Sequence, residues 1–170
     1  VVFIRTLGDM STEDLNFFGK FNRYFSSDGY LFSSVGITFS DSSFFEIDLG
    51  DQKMLENLGI ARFTSGLGEY RYYGRRKIGD RACIPISYPN YVLLVWKDVE
   101  KLEITYSMSL TEEGKQLRKY MTEGMDTNVL EILSKEISSS QKCRVSVHKL
   151  VGDACFVQKE EFAYENGALI

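Results

Sequence analysis

The densest group of chemically able side chains lies between Tyr70 and Arg81, where Arg71, Arg75, Arg76, Lys77 and Arg81 face a single acid, Asp80. Five cations against one carboxylate give a local charge of +4 in a chain of net charge −4, so the remainder carries −8. Tyr70, Tyr72 and Tyr73 interleave with the cations. Arginine offers a planar fork that matches phosphate, and tyrosine offers a face on which a base can stack. The chemistry this segment could perform is therefore the binding of nucleic acid or another anion. Strand alternation sets Arg71 and Tyr73 on one side and Tyr70 and Tyr72 on the other. With Tyr70 and Tyr72 packed inward, the expected nucleic-acid or anion-binding residues are Arg71, Tyr73, Arg75, Arg76, Lys77 and Arg81.

Other reactive types are sparse. The one histidine, His148, sits among Val145, Val147 and Leu150, and as a catalytic base it would need a nucleophile such as Cys143 or Cys155 brought to it by the fold. It reads better as a surface or hydrogen-bonded structural histidine. Cys83, Cys143 and Cys155 form no Cys-x-x-Cys pair, so neither a disulfide framework nor a zinc site is expected. They read as reduced, buried thiols of a cytoplasmic protein. Glu112-Glu113 and Glu160-Glu161 are neighbours whose side chains diverge, which makes them solvated faces rather than acid/base pairs. Gly66 and Gly68 lack the third glycine or the Gly-Lys-Ser/Thr of a phosphate loop and read as a turn. The expectation is a protein that is not an enzyme, with no cofactor and no metal.

The elements that must position the basic segment are legible in outline. Leu15, Phe18, Phe21 and Phe25 recur at helical spacing from Ser11, with Ser11 and Asp14 set as a capping box and a turn at Ser26-Ser27-Asp28-Gly29. Val35, Ile37 and Phe39 alternate as in a strand. Asp51 can cap a short helix carrying Met54, Leu55 and Leu58, stopped by Gly59, with a strand from Ile60 to Phe63 and a hairpin turn at residues 64–68 leading into Glu69 to Tyr73. Beyond a charged loop at 74–80, strands are predicted at 82–87, 91–96 and 101–106. Helices follow from Thr111, with Leu117, Tyr120 and Met121 inward, and from Thr127, with Leu130, Leu133 and Ile137 inward. Val145 and Val147 with Cys155 and Val157 predict a closing hairpin that turns near Gly152-Asp153.

A composition of 44% hydrophobic and 26% charged residues excludes a disordered chain. The run Tyr91 to Trp96 is far shorter than the roughly 20 residues of a membrane span. The predicted fold is therefore a single α+β domain over residues 1–170, with a winged-helix-like core of helices and antiparallel hairpins. An opening of Val1-Val2-Phe3-Ile4 suggests the C-terminal fragment of a longer protein.

Four segments carry a resemblance: Arg5-Thr6-Leu7 leading to Ser11-Thr12-Glu13-Asp14 and the aromatic helix, Leu55-Glu56-Asn57-Leu58-Gly59-Ile60, Tyr72-Tyr73-Gly74, and Leu110-Thr111-Glu112-Glu113-Gly114-Lys115-Gln116-Leu117. In this order, over residues 5–120, the chain resembles the C-terminal region of a bacterial family known as domain of unknown function 2806. It is similar in pattern to the alpha-type abortive-infection proteins. The resemblance implies a link to phage defence and brings no catalytic residues with it. The expected function is a regulatory or interaction module with a protein partner or self-association and no membrane, the alternative being a winged-helix-like nucleic-acid-binding domain that uses residues 71–81.

Overall fold

The computed structural model describes residues 8–33, 49–64, 69–121, 127–150 and 159–170. In chain order its elements are α1 (Thr12–Asn22), β1 (Tyr30–Phe32), α2 (Leu49–Asn57), β2 (Ala61–Phe63), β3 (Glu69–Gly74), β4 (Arg76–Ile78), β5 (Arg81–Tyr88), β6 (Tyr91–Trp96), β7 (Lys101–Leu110), α3 (Glu112–Arg118), α4 (Thr127–Gln141), β8 (Arg144–Lys149), β9 (Glu160–Glu165) and β10 (Ala168–Leu169). Helices with antiparallel sheets make the chain α+β. Its backbone divides into two compact units, residues 1–69 with 105–124 and residues 70–104 with 125–170. The predicted Val35, Ile37 and Phe39, the glycines at 66 and 68, residues 5–7, and Gly152, Asp153, Cys155 and Val157 lie outside the described residues.

In the first unit α1 starts at the predicted capping box: the Asp14 N–H donates to Ser11 Oγ at 3.1 Å and the Ser11 N–H to Asp14 Oδ2 at 2.9 Å. Phe18, Phe21 and Phe25 are buried, and Leu15 is half-buried. The end of α1 is closed by Arg118, whose guanidinium donates to the carbonyls of Phe25 at 2.6 Å, Asn22 at 3.3 Å and Ser26. Helix α2 begins before Asp51, which sits in its first turn instead of capping it. It stops at Gly59, where φ is +72° and the Ile60 N–H returns to the Leu55 carbonyl at 3.1 Å, a closure that glycine makes without strain.

The predicted hairpin between β2 and β3 does not form, because both strands pair with β7. At ten residues β7 is long enough to hold several neighbours. Its buried Met108 and Leu110 stand opposite Phe63 and Ala61, and its other edge takes β1, so the sheet runs β1-β7-β2. There the Leu55–Ile60 and Leu110–Leu117 segments meet. Thr111 donates from its N–H to the Ile60 carbonyl at 2.8 Å and from Oγ1 to the Gly59 carbonyl at 2.6 Å, and its hydroxyl accepts from the Gly114 N–H at 3.1 Å. A Cβ on Gly114 would lie 2.2 Å from the Ile60 carbonyl oxygen, so glycine there is a condition of the contact. Tyr120, predicted inward, lies beyond the end of α3 and is 70% exposed.

In the second unit the six-stranded sheet runs β10-β9-β8-β6-β5-β4, with α4 packed on β8, β9 and β6. Two apolar rows cross it: Ile84, Val95, Val145 and Tyr164 in one, Ile86, Leu93, Val147 and Phe162 in the next. Leu130, Leu133 and Ile137 of α4 are buried as predicted. Strand β8 closes against β9, later in the chain than the sequence suggested. Residues 74–80, predicted as a loop, hold β4 and a tight turn. Among the described residues no helix is long and apolar enough to cross a membrane.

Candidate anion-binding cleft

The basic segment folds as an edge. After β3, the Arg75 N–H donates to the Glu100 carbonyl at 2.9 Å, and the chain continues into β4. Ile78 pairs with Arg81 across a two-residue turn, Gly79-Asp80, in which Gly79 has φ +60°. Glycine with positive φ at the first central position is the type II′ solution that suits the strand twist. This hairpin sets Lys77 opposite Ala82, and β5 in turn lies against β6, whose last residue is Trp96.

Arg75, Lys77, Asp80, Arg81, Ala82, Trp96, Lys97 and Asp98 line an open cleft of about 390 Å³. Four cations against two carboxylates leave it net positive. Arg75 Nη1 pairs with Asp98 Oδ1 at 2.6 Å. The Arg81 guanidinium lies over the Trp96 ring, 4.2 Å from its centroid. Lys97 Nζ donates to the Gln141 carbonyl at 3.1 Å and to its Oε1 at 3.0 Å, at the C-terminus of α4, where a cation is stabilised. Lys77 is exposed on the edge strand.

Trp96 is fixed from below. Its Nε1–H donates to Ser146 Oγ at 2.7 Å, and Ser146 Oγ lies 2.8 Å from His148 Nε2. The indole can only donate, so the serine hydroxyl accepts there, and its second lone pair or its own proton meets Nε2 according to the histidine tautomer. The buried His148 Nδ1 finds no hydrogen-bond partner among the described residues. Burial lowers the His148 pKa, with Arg144 acting in the same sense and Glu160 opposing, so the ring is neutral at pH 7.

Of the six residues predicted for the site, Arg75, Lys77 and Arg81 are brought together at the cleft. Arg76 is exposed, and alternation along β4 turns it away from Lys77. Arg71 lies over the Tyr73 ring at 4.6 Å from its centroid and donates to the Tyr72 carbonyl. Tyr73 itself is 8% exposed and presents no open face, whereas Tyr70 and Tyr72 are 54% and 46% exposed. The alternation was predicted correctly and its sense was inverted. The neighbouring strand decides the matter: Leu102 on β7 is buried, while the exposed Lys101 places its Nζ 4.7 Å from the Tyr72 centroid on the outer face. Trp96, Lys97 and Asp98 were missed; a lone tryptophan closing an apolar strand and followed by Lys-Asp was the available signal.

Cys143 and His148 do not meet, and Cys155 lies outside the described residues. Cys143 precedes β8 and His148 is five residues along it, about 17 Å at the usual strand rise. Burial raises the thiol pKa of both Cys143 and Cys83, against the opposing pull of Lys97 and Arg81, so both free thiols stay protonated. No group of three or more metal-ligating side chains occurs among the described residues. Compared with known protein families, with curated proteins and with solved structures, this chain matches none.

Proposed function

We propose that this chain is a non-enzymatic regulatory or interaction module of a bacterial cytoplasmic protein that engages an anionic partner through the cleft of its second unit. The observation that carries the reading is the convergence of Arg75, Lys77, Arg81 and Lys97 on one opening. Cations gathered from the 75–81 hairpin and from the end of β6 need a reason to be held together, and an anion supplies it. The protonated thiols and the burial of His148 favour binding over catalysis.

A winged-helix-like centre in the first unit belongs to the same proposal. Its support is the order α1, β1, α2 and then β2 and β7, laid as β1-β7-β2 with the two hairpin arms far apart in sequence. The charged residues of α2 are Asp51, Lys53 and Glu56, two acids and one cation. A helix that enters a DNA groove is pressed toward phosphates and needs the opposite balance. The first unit is therefore assigned to protein contact or self-association, and the anionic partner to the second. The phage-defence link implied by the family resemblance is retained as part of this reading, and finding a restriction or toxin system beside the gene would support it.

Trp96 is the only tryptophan in the chain, so its emission reports on the cleft directly. Titration with inorganic polyphosphate at low and moderate salt should change that emission, with weaker binding at higher salt. A chain carrying Lys77→Ala and Arg81→Ala should bind at least tenfold more weakly. No response in the unaltered chain, or equal binding by the double variant, overturns the proposal.

A further inference from the structure

Just ahead of the cleft residues in sequence, the outer face of β3 presents Tyr70 and Tyr72 to solvent, joined on β7 by Lys101, which lies against the Tyr72 ring. Large aromatic surface on an exposed strand is costly to leave in water, and nothing in the packing of the second unit requires it: the inward positions are already filled by Tyr73 and Leu102. Residues two apart on one strand face are about 6.7 Å apart, twice the roughly 3.4 Å spacing of bases stacked in a duplex. Two rings at that spacing suit bases splayed from one another along an extended strand. A stacked double helix would meet them only at its edges.

The charge is arranged to match. Strand β3 leads directly into Arg75 and β4, so the aromatic pair is continuous in sequence with cations that line the cleft. Opposing them on the same face is Glu103, two residues along β7 from Lys101 and exposed. The β3 face is thus aromatic and nearly neutral, and the cleft whose residues follow it in the chain is cationic. Stacking platforms joined to an electrostatic groove are how proteins hold single-stranded nucleic acid with little sequence preference.

Resting on the cleft as an anion site, we propose that the partner of the second unit is single-stranded nucleic acid, its bases stacked on Tyr70 and Tyr72 and its phosphates held by Arg75, Lys77 and Arg81. An acidic protein segment would use the cations and leave both tyrosines idle.

The test is fluorescence anisotropy with a labelled 15-nucleotide oligothymidylate and a 15-base-pair duplex, alongside Trp96 emission with polyphosphate. The single strand should bind more tightly than the duplex. Tyr70→Ala and Tyr72→Ala should each weaken it about tenfold, Tyr72→Phe should restore most of the loss, and none of the three should alter polyphosphate binding. Both tyrosines are half-exposed, and an unchanged far-ultraviolet spectrum shows that the variants fold. Equal binding of duplex and single strand, or tyrosine variants that bind oligothymidylate normally, overturns the nucleic-acid assignment and leaves the anion cleft standing. If polyphosphate also fails to bind, both proposals fall.

Discussion

The two units place their most distinctive residues under opposite demands. In the first, Gly114, Thr111 and Ile60 fit so closely that one added methyl group would overlap a carbonyl oxygen, and Arg118 gives its guanidinium to three carbonyls of its own chain. In the second, Arg75, Lys77 and Arg81 line an opening, with Tyr70 and Tyr72 exposed nearby in sequence on β3. Motifs of the first kind are explained once their packing is known. Those of the second kind are not, since a packed core needs none of them, and for that reason the search for function belongs there.

If that contrast is right, damage to the first unit should be read as stability. Phe21, buried on α1, should cost about 3 to 5 kcal/mol when cut to alanine, measured by urea denaturation; a loss under about 1 kcal/mol would mean that the aromatic stripe is a surface. Gly114→Ala forces α3 away from the Ile60 carbonyl and should cost about 1 to 3 kcal/mol, the usual penalty of overpacking. Neither change should alter polyphosphate binding by more than about twofold under conditions where the chain is folded. A binding loss in excess of the folded fraction would show that the first unit takes part.

The sequence is informative where one element explains itself. The capping box at Ser11 and the apolar run of β6 declare their geometry within a few residues and are found where expected, whereas the burial of β7 alternates only from Lys101 to Glu103 and the strand runs on to Leu110. Pairings across long stretches do not declare themselves. Nothing near Phe63 says that its neighbour is Met108 rather than a residue just past the turn, and an error there propagates: with β3 set against β2, the buried side of the tyrosines has no reference. Setting β3 against β7, whose Leu102 side was readable, puts Tyr73 inside and Tyr72 outside at once. One wall of the cleft was hidden for the same reason, because Trp96 and Lys97 reach Arg81 only through the β5–β6 hairpin.

Between the two extremes lies the polar line under the cleft. His148 is neutral in the folded chain, because burial holds its pKa below the ordinary 6.5, whereas in the unfolded chain it takes up a proton near that value. The unfolded state therefore binds more protons as pH falls below about 6.5, and stability is lost from there down through the native pKa. Denaturation at pH 5.5, 6.5 and 7.5 should show that decline, and His148→Gln should flatten it. An equal decline in the variant would place the acid sensitivity elsewhere. The loss should be accompanied by a change in Trp96 emission, since Ser146 links the imidazole to the indole.

The smallest effect on stability should come from Lys77→Ala, and it discriminates best. Lys77 lies exposed on a three-residue edge strand. Removing such a side chain should shift unfolding by no more than about 0.5 kcal/mol in either direction. If Lys77 holds a phosphate, the same change should lower affinity for every polyanion by a similar factor and reduce the slope of log affinity against log salt by about one. A structural lysine would behave in the reverse manner, costing stability and leaving the salt slope untouched. An edge lysine placed only to discourage strand pairing would change neither quantity and would instead raise the tendency to aggregate. Measuring stability, salt slope and light scattering on one variant therefore separates the three roles, and only a lowered slope at constant stability fits the cleft.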